Sequence, residues 1–367
     1  MSESQINSDV PSADEYKQQL ADKLALVRNH LSPFTSIAPD VFESPVQGYR
    51  MRAEFRVWHE GDSSYYVMFP KGKPKEPYRI DSFTAGSAVI QRLMPLVIEK
   101  VRKTPTLRER LFQIDFLTTT RGDCLLSMLY HRRLDDKWSE VASEFQKALG
   151  VSLIGRSRKQ KMVLAKDHVI EEFVIAGRNL QYRQLENSFT QPNAIINQAM
   201  LNWVHRHCSE GSGDLLELYC GNGNFSIALS NVFDKVLATE LNKTGLLAAQ
   251  HNVESNGLSN IALGRLSAAE VAQALSNVRS FRRLSHVQLE HYDFSTVLVD
   301  PPRSGLDSQT LAFIQQFANI IYVSCNPVSL AENLQQLTCT HHVSEFAVFD
   351  QFPFTEHIES AVVLRAQ

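Results

Sequence analysis

A cysteine at the end of a predicted strand is the residue best placed for covalent chemistry. Cys325 follows the apolar run 320–323 and precedes Asn326 and Pro327. Most free cysteines are small buried apolar residues, but only Cys325 is followed by polar residues at a strand terminus. Cys220 also lies at a strand edge, inside a glycine turn that needs a small residue. A thiolate that adds to a carbon centre divides one difficult step into two easier ones. We therefore interpret Cys325 as a nucleophile.

Covalent catalysis also needs a base, because a proton must leave before the thiol can depart. The final loop, residues 349–359, contains Glu356, His357 and Glu359. If the last predicted strand, residues 360–364, runs antiparallel, Glu359 lies at the edge where the parallel strands end. Phenylalanines in this loop could exclude water and raise a carboxyl pKa. We interpret Glu359 as the base and His357 as a supporting residue; solvated loop charges are the alternative.

A turn with two glycines predicts a cofactor site. Residues 217–225 read ELYCGNGNF, in which Gly221 and Gly223 let the backbone turn tightly and approach a ligand. Ser226 occupies the place of the third glycine of a dinucleotide fingerprint, so phosphate binding is poorly supported. Glu240, nineteen residues after Gly221, suits two ribose hydroxyls. The pattern favours a nucleoside cofactor without phosphate; an NAD site and a structural turn are the alternatives.

A rigid acidic turn follows another predicted strand. Asp300-Pro301-Pro302-Arg303 comes directly after the apolar residues 296–299. Proline fixes φ and removes a backbone donor, so the Asp300 carboxylate could be held at the sheet edge. Ligands of open α/β sheets bind at the carboxyl ends of the strands, which favours a place in the same site. An ordinary Asp-Pro-Pro turn is the alternative.

The elements that must position these residues have two patterns along the 367 residues. The first half predicts a helix at 15–30 and then an α+β arrangement of antiparallel strands with two helices, its strands at 49–58, 63–69, 112–118 and 124–130. The second half alternates strands and helices, which predicts a parallel, doubly wound sheet. It ends in two strands, 345–349 and 360–364, joined without a helix. We expect a helical leader (1–43), an α+β domain (44–186) and an α/β domain (187–367).

Charge is unevenly distributed over these parts. The net charge is −3, yet residues 44–180 hold 24 Lys and Arg against 16 Asp and Glu, and residues 181–367 hold 10 against 17. A positive front half favours contact with a polyanion such as nucleic acid. Arg50, Arg52 and Arg56 alternate along one predicted strand and could contact phosphates or bases. A solvated strand face is the alternative.

Other features exclude several classes of protein. The sequence contains no run of membrane-spanning length and no basic, apolar leader, so we expect a cytoplasmic protein without membrane contact. Its five cysteines are scattered and lack metal-ligand spacing, so we expect neither a metal nor an iron–sulfur cluster. Nothing indicates an obligate protein partner.

Five motifs in order resemble the RNA uracil-C5 methyltransferase family: NSFTQPN (187–193), ELYCGNGNF (217–225), DPPR (300–303), SCNP (324–327) and HIE (357–359). The resemblance implies a Rossmann-like S-adenosylmethionine methyltransferase domain behind an N-terminal α+β RNA-binding domain. It implies that Cys325 adds to C6 of a uridine, which makes C5 nucleophilic, and that Glu359 is the general base. It further implies cofactor contacts at Gln191, Tyr219, Asn224, Glu240 and Asp300, beside the turn of Gly221 and Gly223. Arg52 is a candidate RNA contact, and Phe189 and Arg303 are expected to place RNA.

One departure from the family pattern bears on the substrate. Members that act on ribosomal RNA typically carry an N-terminal TRAM domain and four cysteines for an iron–sulfur cluster, whereas residues 1–180 contain only Cys124. The resemblance therefore implies the tRNA branch, which methylates uridine 54 of the T-loop and can act on tmRNA, with the target base flipped into the site. A ribosomal-RNA uracil methyltransferase, a cytosine-C5 methyltransferase and a non-catalytic RNA-binding or tRNA-folding protein are the alternatives.

Overall fold

The computed structural model describes residues 12–70, 72–73, 75–208 and 213–367. Among these, the chain divides into two compact units. Unit 1 comprises residues 45–171 and 184–187, and unit 2 comprises residues 13–44, 172–183 and 188–367. The sequence had suggested a separate leader in residues 1–43. Residues 1–11 of that leader lie outside the described residues, and the remainder is grouped with unit 2.

Unit 2 begins with helix α1 (Ala13–Leu31) and the short strand β1 (Asp40–Phe42). The helix predicted at residues 15–30 is confirmed. Its buried side chains recur every three or four residues, which places them on one face; they are Tyr16, Leu20, Lys23, Val27 and Leu31. A lysine on this face is unexpected, because a buried cation needs a partner.

Unit 1 is built on a sheet of seven strands in the order β4-β3-β2-β5-β6-β7-β8. Its elements are β2 (Arg52–Glu60), β3 (Ser63–Met68), β4 (Tyr78–Ile80), α2 (Ala88–Lys103), α3 (Pro105–Arg108), β5 (Leu111–Thr118), β6 (Cys124–Tyr130), α4 (Asp136–Leu149), β7 (Ser152–Ser157) and β8 (Gln160–Val163). The apolar faces of α2 and α4 share one core with buried residues of this sheet. The predicted antiparallel hairpin of β5 and β6 is confirmed. Strands β6 and β7, however, pair in parallel, since α4 provides the crossover that a parallel connection requires.

Two further strands, β9 (His168–Ile175) and β10 (Arg178–Leu185), form a separate two-stranded sheet. The division between the two units falls within both strands.

Unit 2 is completed by an α/β fold. Its elements are α5 (Ala194–Cys208), β11 (Asp214–Leu218), α6 (Asn224–Ala228), β12 (Val236–Thr239), α7 (Lys243–Ser255), β13 (Ile261–Gly264), α8 (Ala268–Leu275), β14 (Phe294–Val299), α9 (Ser308–Ile314), β15 (Asn319–Ser324), α10 (Pro327–Leu337), β16 (His341–Phe349) and β17 (Glu359–Ala366). Two 3-10 turns, Arg282–Leu284 and Leu289–His291, lie between α8 and β14. The sequence had not predicted β1 or β13.

The strands of unit 2 form one sheet in the order β1-β16-β17-β15-β14-β11-β12-β13. Strands β11 to β15 pair in parallel, and β17 is antiparallel to both of its neighbours, as predicted. The inner strands are buried along most of their length, which matches a parallel sheet with both faces covered. In the described part of the chain, no helix is both long enough and apolar enough to cross a membrane.

Candidate active site

The sheet of unit 2 brings most of the predicted site residues to one edge. Five neighbouring strands contribute to it in the spatial order β17, β15, β14, β11 and β12. Because β17 runs antiparallel to the others, its first residue lies where they end. These strands therefore present, in that order, Glu359, Cys325, Asp300, the turn 219–223 and Glu240.

Cys325 and Glu359 face each other across two paired strands. The pairing of β15 with β17 ends at Ser324 opposite Ser360, so the next position places Cys325 beside Glu359. Directly opposed residues in an antiparallel pair have Cβ atoms about 5 Å apart. Glu359 is 4% exposed, whereas Cys325 is only partly buried. The thiol is thus open to a ligand while the carboxyl group is shielded from water.

Three acidic groups share this shielded region. Burial and the charge of Asp300 raise the pKa of Glu359 to about 8, against the opposing effect of Arg303. Burial raises the pKa of Asp300 to about 7. Burial, together with Glu359 and Asp300, raises the pKa of Cys325 to about 11, while Arg303 lowers it. Such shifts of neighbouring groups in one cleft are typical of active sites.

The Arg303 side chain links two loops at this edge. Its Nη2 atom donates to His357 Nδ1 at 3.2 Å, and its carbonyl oxygen accepts from Asn326 Nδ2 at 2.9 Å. Asn326 Oδ1 in turn caps α10 by accepting from the Val328 N–H at 3.1 Å, and Pro327 occupies the first helical position. The SCNP motif therefore ends β15 and caps α10, so Cys325 is held between this strand and this helix.

The glycine turn after β11 has an unusual backbone. Tyr219 has a φ of 62°, and Gly221 and Gly223 have φ of 57° and 81°. A non-glycine residue in this region is strained, and such strain tends to occur at functional sites. The Glu240 carboxylate accepts from the Gly221 N–H at 3.0 Å and from the Asn242 N–H at 2.6 Å. The turn and the acidic residue are thereby fixed to each other.

Helix α7 approaches this turn closely at Gly245. A Cβ atom on Gly245 would lie 3.1 Å from the Gly221 carbonyl oxygen. Asn224, at the start of α6, exchanges two amide hydrogen bonds with Asn197 of α5, at 3.1 and 2.9 Å. The glycine turn is therefore braced by helices on two sides.

The residues present fit a nucleoside cofactor with an amino-acid tail. Gln191, just before α5, has a buried Oε1 atom that accepts no hydrogen bond within the described residues. A buried acceptor without a donor is costly, so a ligand ammonium group would satisfy it. Glu240 presents acceptors suited to ribose hydroxyls, and the half-buried Asp300 adds a negative charge.

Comparisons with known proteins agree with this geometry. The sequence model of the tRNA (Uracil-5-)-methyltransferase family matches residues 15–367. This chain belongs to that family. A relative from Shigella flexneri serotype 5b (strain 8401), named tRNA/tmRNA (uracil-C(5))-methyltransferase, is 48% identical over 359 residues, which cover 96% of this chain and 98% of the relative. A protein of the same name from Klebsiella pneumoniae (strain 342) is 48% identical over 356 residues, covering 96% and 97%.

A solved structure shares the fold. It is that of the Pyrococcus abyssi tRNA (uracil-54, C5)-methyltransferase in complex with S-adenosyl-L-homocysteine, with a TM-score of 0.71 and 21% identity, covering 95% of this chain and 83% of that one. The similarity confirms the α/β, Rossmann-like methyltransferase fold that the sequence predicted.

A buried carboxyl group beneath the glycine turn was missed by the sequence reasoning. Glu217 is fully buried in β11, and its carboxylate accepts a hydrogen bond from the Ser226 hydroxyl. Burial raises the pKa of Glu217 to about 8 although this hydrogen bond lowers it. Ser226 was expected only as the residue that replaces a third glycine. In the structure its hydroxyl group binds a buried acid beneath the glycine turn.

The residues predicted to contact RNA lie in different settings. Phe189, in unit 2, is 73% exposed, and Arg303 is exposed beside Cys325. Arg52, in unit 1, is half-buried, and its guanidinium donates to the Glu186 carbonyl oxygen. Arg56 is on the exposed face of β2 and lies over the Phe112 ring at 5.3 Å. Of the three alternating arginines, Arg50 precedes the strand.

Unit 1 also contains a basic cleft of about 840 Å³ that the sequence indicated only in part. Its lining combines cationic and aromatic side chains, namely Phe112, Tyr130, His131, Arg132, Arg133, Arg156, Arg158 and Lys159. The rings of Phe112 and His131 stack with centroids 3.9 Å apart and 12° between their planes. Aromatic faces beside cations are typical of surfaces that bind single-stranded nucleic acid. The two stacking residues lie at the open end of the β5–β6 hairpin, where the pairing of the two strands brings them together.

Proposed function

We propose that this protein transfers a methyl group from S-adenosylmethionine to C5 of uridine 54 in the T-loop of tRNA, through a covalent adduct between Cys325 and C6. The observation that carries the proposal is the placement of a partly open thiol opposite a buried carboxyl group, at the sheet edge that also presents the glycine turn. The relatives named tRNA/tmRNA (uracil-C(5))-methyltransferase support the substrate class and extend it to tmRNA.

The cofactor would be held by the strand ends of unit 2. When bound, S-adenosylmethionine supplies a methyl group on a positively charged sulfonium. Gln191 would accept from its ammonium group, and Glu240 from its ribose. Tyr219, Asn224 and Asp300 would border the pocket.

Cys325 begins the reaction by attacking the target base. With a pKa of about 11, Cys325 is a thiol and not a thiolate near neutral pH. A positive charge bound beside Asp300 and Glu359 would lower the pKa of all three acids, so cofactor binding would promote loss of the thiol proton. The sulfur then bonds to C6, and the electron pair of the C5–C6 double bond shifts to make C5 the nucleophile that accepts the methyl group.

Glu359 completes the reaction by removing a proton. After methyl transfer, C5 carries both the methyl group and its original hydrogen. The Glu359 carboxylate takes this proton, the C–H electron pair restores the C5–C6 double bond, and the C6–S bond breaks to release the Cys325 thiolate. A base whose pKa lies near the working pH is efficient in this role, and that of Glu359 is about 8.

RNA recognition would divide between flipping the base and holding the arm. The target uridine has to leave its stack to reach Cys325, and Phe189 and Arg303 would guide it. The basic cleft of unit 1 suits phosphates and unstacked loop bases. The cytoplasmic location and the absence of an obligate protein partner remain predictions.

A methylation assay on defined RNA tests the proposal. The purified protein is incubated with S-adenosylmethionine and three substrates: an unmodified tRNA transcript, the same transcript with cytidine at position 54, and a ribosomal-RNA fragment. We expect 5-methyluridine in the first alone, identified by mass spectrometry of nucleosides. Formation of 5-methylcytidine in the second, methylation of the ribosomal fragment alone, or no methylation at all would contradict the assignment.

A further inference from the structure

Helix α1 contacts the loop that leads to Glu359 in a regular way. Lys23 Nζ donates to Asp350 Oδ1 at 2.7 Å and to the Phe352 carbonyl oxygen at 2.8 Å. Gln19, one helical turn earlier, accepts from the Phe354 N–H. Two side chains on one helix face thus hold three alternate residues of the loop. The loop joins β16 to β17 and ends at Glu359.

The contact is buried and charged. Lys23 is 4% exposed and Asp350 is fully buried. Burial lowers the pKa of Lys23, and the hydrogen bond to Asp350 opposes this effect. Removing one partner of such a pair is strongly destabilising, whereas replacing both with neutral residues is often tolerated. The second hydrogen bond of Lys23, to the Phe352 carbonyl oxygen, ties the same buried side chain to the loop backbone.

The loop itself is held in an uncommon conformation. Phe354 has a φ of 58°, which is unfavourable for a bulky residue and persists only where its surroundings enforce it. The surroundings here belong to α1, since Gln19 binds the Phe354 N–H and the Tyr16 ring lies edge-on against the Phe354 ring at 5.9 Å.

Contacts continue from the loop to the reacting groups. The Phe352 ring lies edge-on to the His357 ring, with centroids 6.0 Å apart. His357 Nδ1 accepts from Arg303, and the charge of Arg303 acts on both Cys325 and Glu359. A shift of residues 350–354 would therefore change the positions of both Arg303 and Glu359.

We infer that Lys23 and Gln19 are positioning residues, through which helix α1 holds the loop of residues 350–358, and with it His357, Arg303 and Glu359, in the arrangement needed for proton removal. The inference rests on the proposed function, because it assigns α1 a role in the step given to Glu359. Lys23 touches neither the substrate nor the cofactor; it acts through the loop.

The test separates formation of the covalent adduct from its release. Lys23→Met and Gln19→Ala are compared with wild type and with Lys17→Met, a matched change of an exposed lysine on the same helix. Each is mixed with a T-arm hairpin and S-adenosylmethionine, and the denaturation-resistant protein–RNA adduct is followed with time. We expect Lys23→Met to release the adduct about 10- to 100-fold more slowly and to form it only about two- to threefold more slowly, because a displaced Arg303 would also raise the pKa of Cys325. Gln19→Ala should change the same step to a smaller degree, and Lys17→Met should behave as wild type.

A second variant guards against simple loss of folding. Lys23→Met/Asp350→Asn removes both buried charges, yet it leaves the Phe352 carbonyl oxygen without its donor. We expect it to regain thermal stability and still to release the adduct slowly. Wild-type release by this stable double variant, or an equal fall of both steps in Lys23→Met, would overturn the inference.

Glu359→Gln, measured in parallel, distinguishes a failure of the role given to α1 from a failure of the role given to Glu359. If Glu359→Gln accumulates adduct and the Lys23 variants do not, only the role of α1 fails. If Glu359→Gln turns over normally, the base assignment itself is wrong and the inference falls with it.

Discussion

At the scale of single residues, the site depends on how three acids share a shielded edge. The pKa values of Cys325, Asp300 and Glu359 are all raised, so these residues together carry less negative charge near neutral pH than three ionised groups would. The positive charge of Arg303 lowers the pKa of both Cys325 and Glu359. The reactivity of the thiol is therefore a property of its neighbours, and it can be measured without RNA.

Replacement of the proposed nucleophile should separate catalysis from binding. Cys325→Ala removes the sulfur that we propose bonds to C6, so we expect methylation to fall below detection while affinity for a T-arm hairpin stays within about threefold, since phosphate contacts supply most of the binding energy. Filter binding and methyl incorporation measure the two quantities. Cys339→Ser, a change at an exposed cysteine, is the matched control and should keep full activity. Methylation by Cys325→Ala would rule out the covalent mechanism.

The pH dependence of Cys325 alkylation tests the electrostatics directly. With a pKa near 11, alkylation by iodoacetamide should be slow at pH 7 and rise with pH throughout the range up to 10. Glu359→Gln removes a charge that raises this pKa, so alkylation at pH 10, where Glu359 is ionised, should become about three- to tenfold faster. Arg303→Ala removes a charge that lowers it and should have the opposite effect. Peptide mass spectrometry in a Cys339→Ser background reports Cys325 alone, and equal rates in all variants would refute this account.

At the scale of elements, the glycine turn packs closely against α7, and we propose that the two bind the cofactor together. Gly245 lies where α7 meets the Gly221 carbonyl oxygen, and Asn242 caps the helix just before it. Alanine is normally favoured over glycine in a helix by about 1 kcal/mol. At this position the added Cβ would press on the turn instead.

Gly245→Ala should consequently weaken cofactor binding without unfolding the protein. We expect the KM for S-adenosylmethionine to rise by about tenfold, because the turn must move by a few tenths of an ångström, while the thermal midpoint changes little. Thr244→Ala, at the exposed neighbouring position of the same helix, is the control. An unchanged KM in Gly245→Ala would show that the turn yields without consequence.

The sequence predicted several helices and strands correctly, but it did not predict strands that depend on distant partners. The helix of residues 15–30 and the hairpin of β5 and β6 were predictable because periodicity and turn residues are local. Strand β1 has three residues and gains its order by pairing in parallel with β16, more than 300 positions away. The sequence of β1 itself does not predict this pairing.

At the scale of the whole molecule, charge divides between a basic unit 1 and an acidic unit 2. The cleft of unit 1 is lined by basic side chains from separate parts of the sequence. Only those near residues 156–161 form a basic segment that can be recognised in the sequence. Arg156 is neutralised by Glu186, so the composition of this segment overstates its free charge. The exposed Arg158 and Lys159 are the better candidates for phosphate contact.

The salt dependence of RNA binding tests this surface. Arg158→Ala/Lys159→Ala should weaken binding of a T-arm hairpin and reduce the slope of log affinity against log salt by about 0.7 to 0.9 for each phosphate contact removed. Lys137→Ala, an exposed lysine on α4 outside the cleft lining, is the matched control and should leave the slope unchanged. The cleft would be excluded as an RNA surface if the double variant kept the wild-type slope.

The amino-acid sequence alone determined which residue types could do the chemistry and on which kinds of element they lie. Cys325, Asp300 and Glu240 each follow an apolar strand, and the ends of parallel strands must meet at one sheet edge. Chemistry of that kind is encoded locally, within a few positions of each motif.

Only the tertiary structure decided which groups act on one another. Glu359 lies opposite Cys325 because β17 pairs with β15, and Lys23 reaches Asp350 across 327 positions of sequence. The raised pKa values likewise depend on burial and on charges from other strands. Burial and long-range pairing arise from the packing of the whole unit, so no spacing along the chain specifies them.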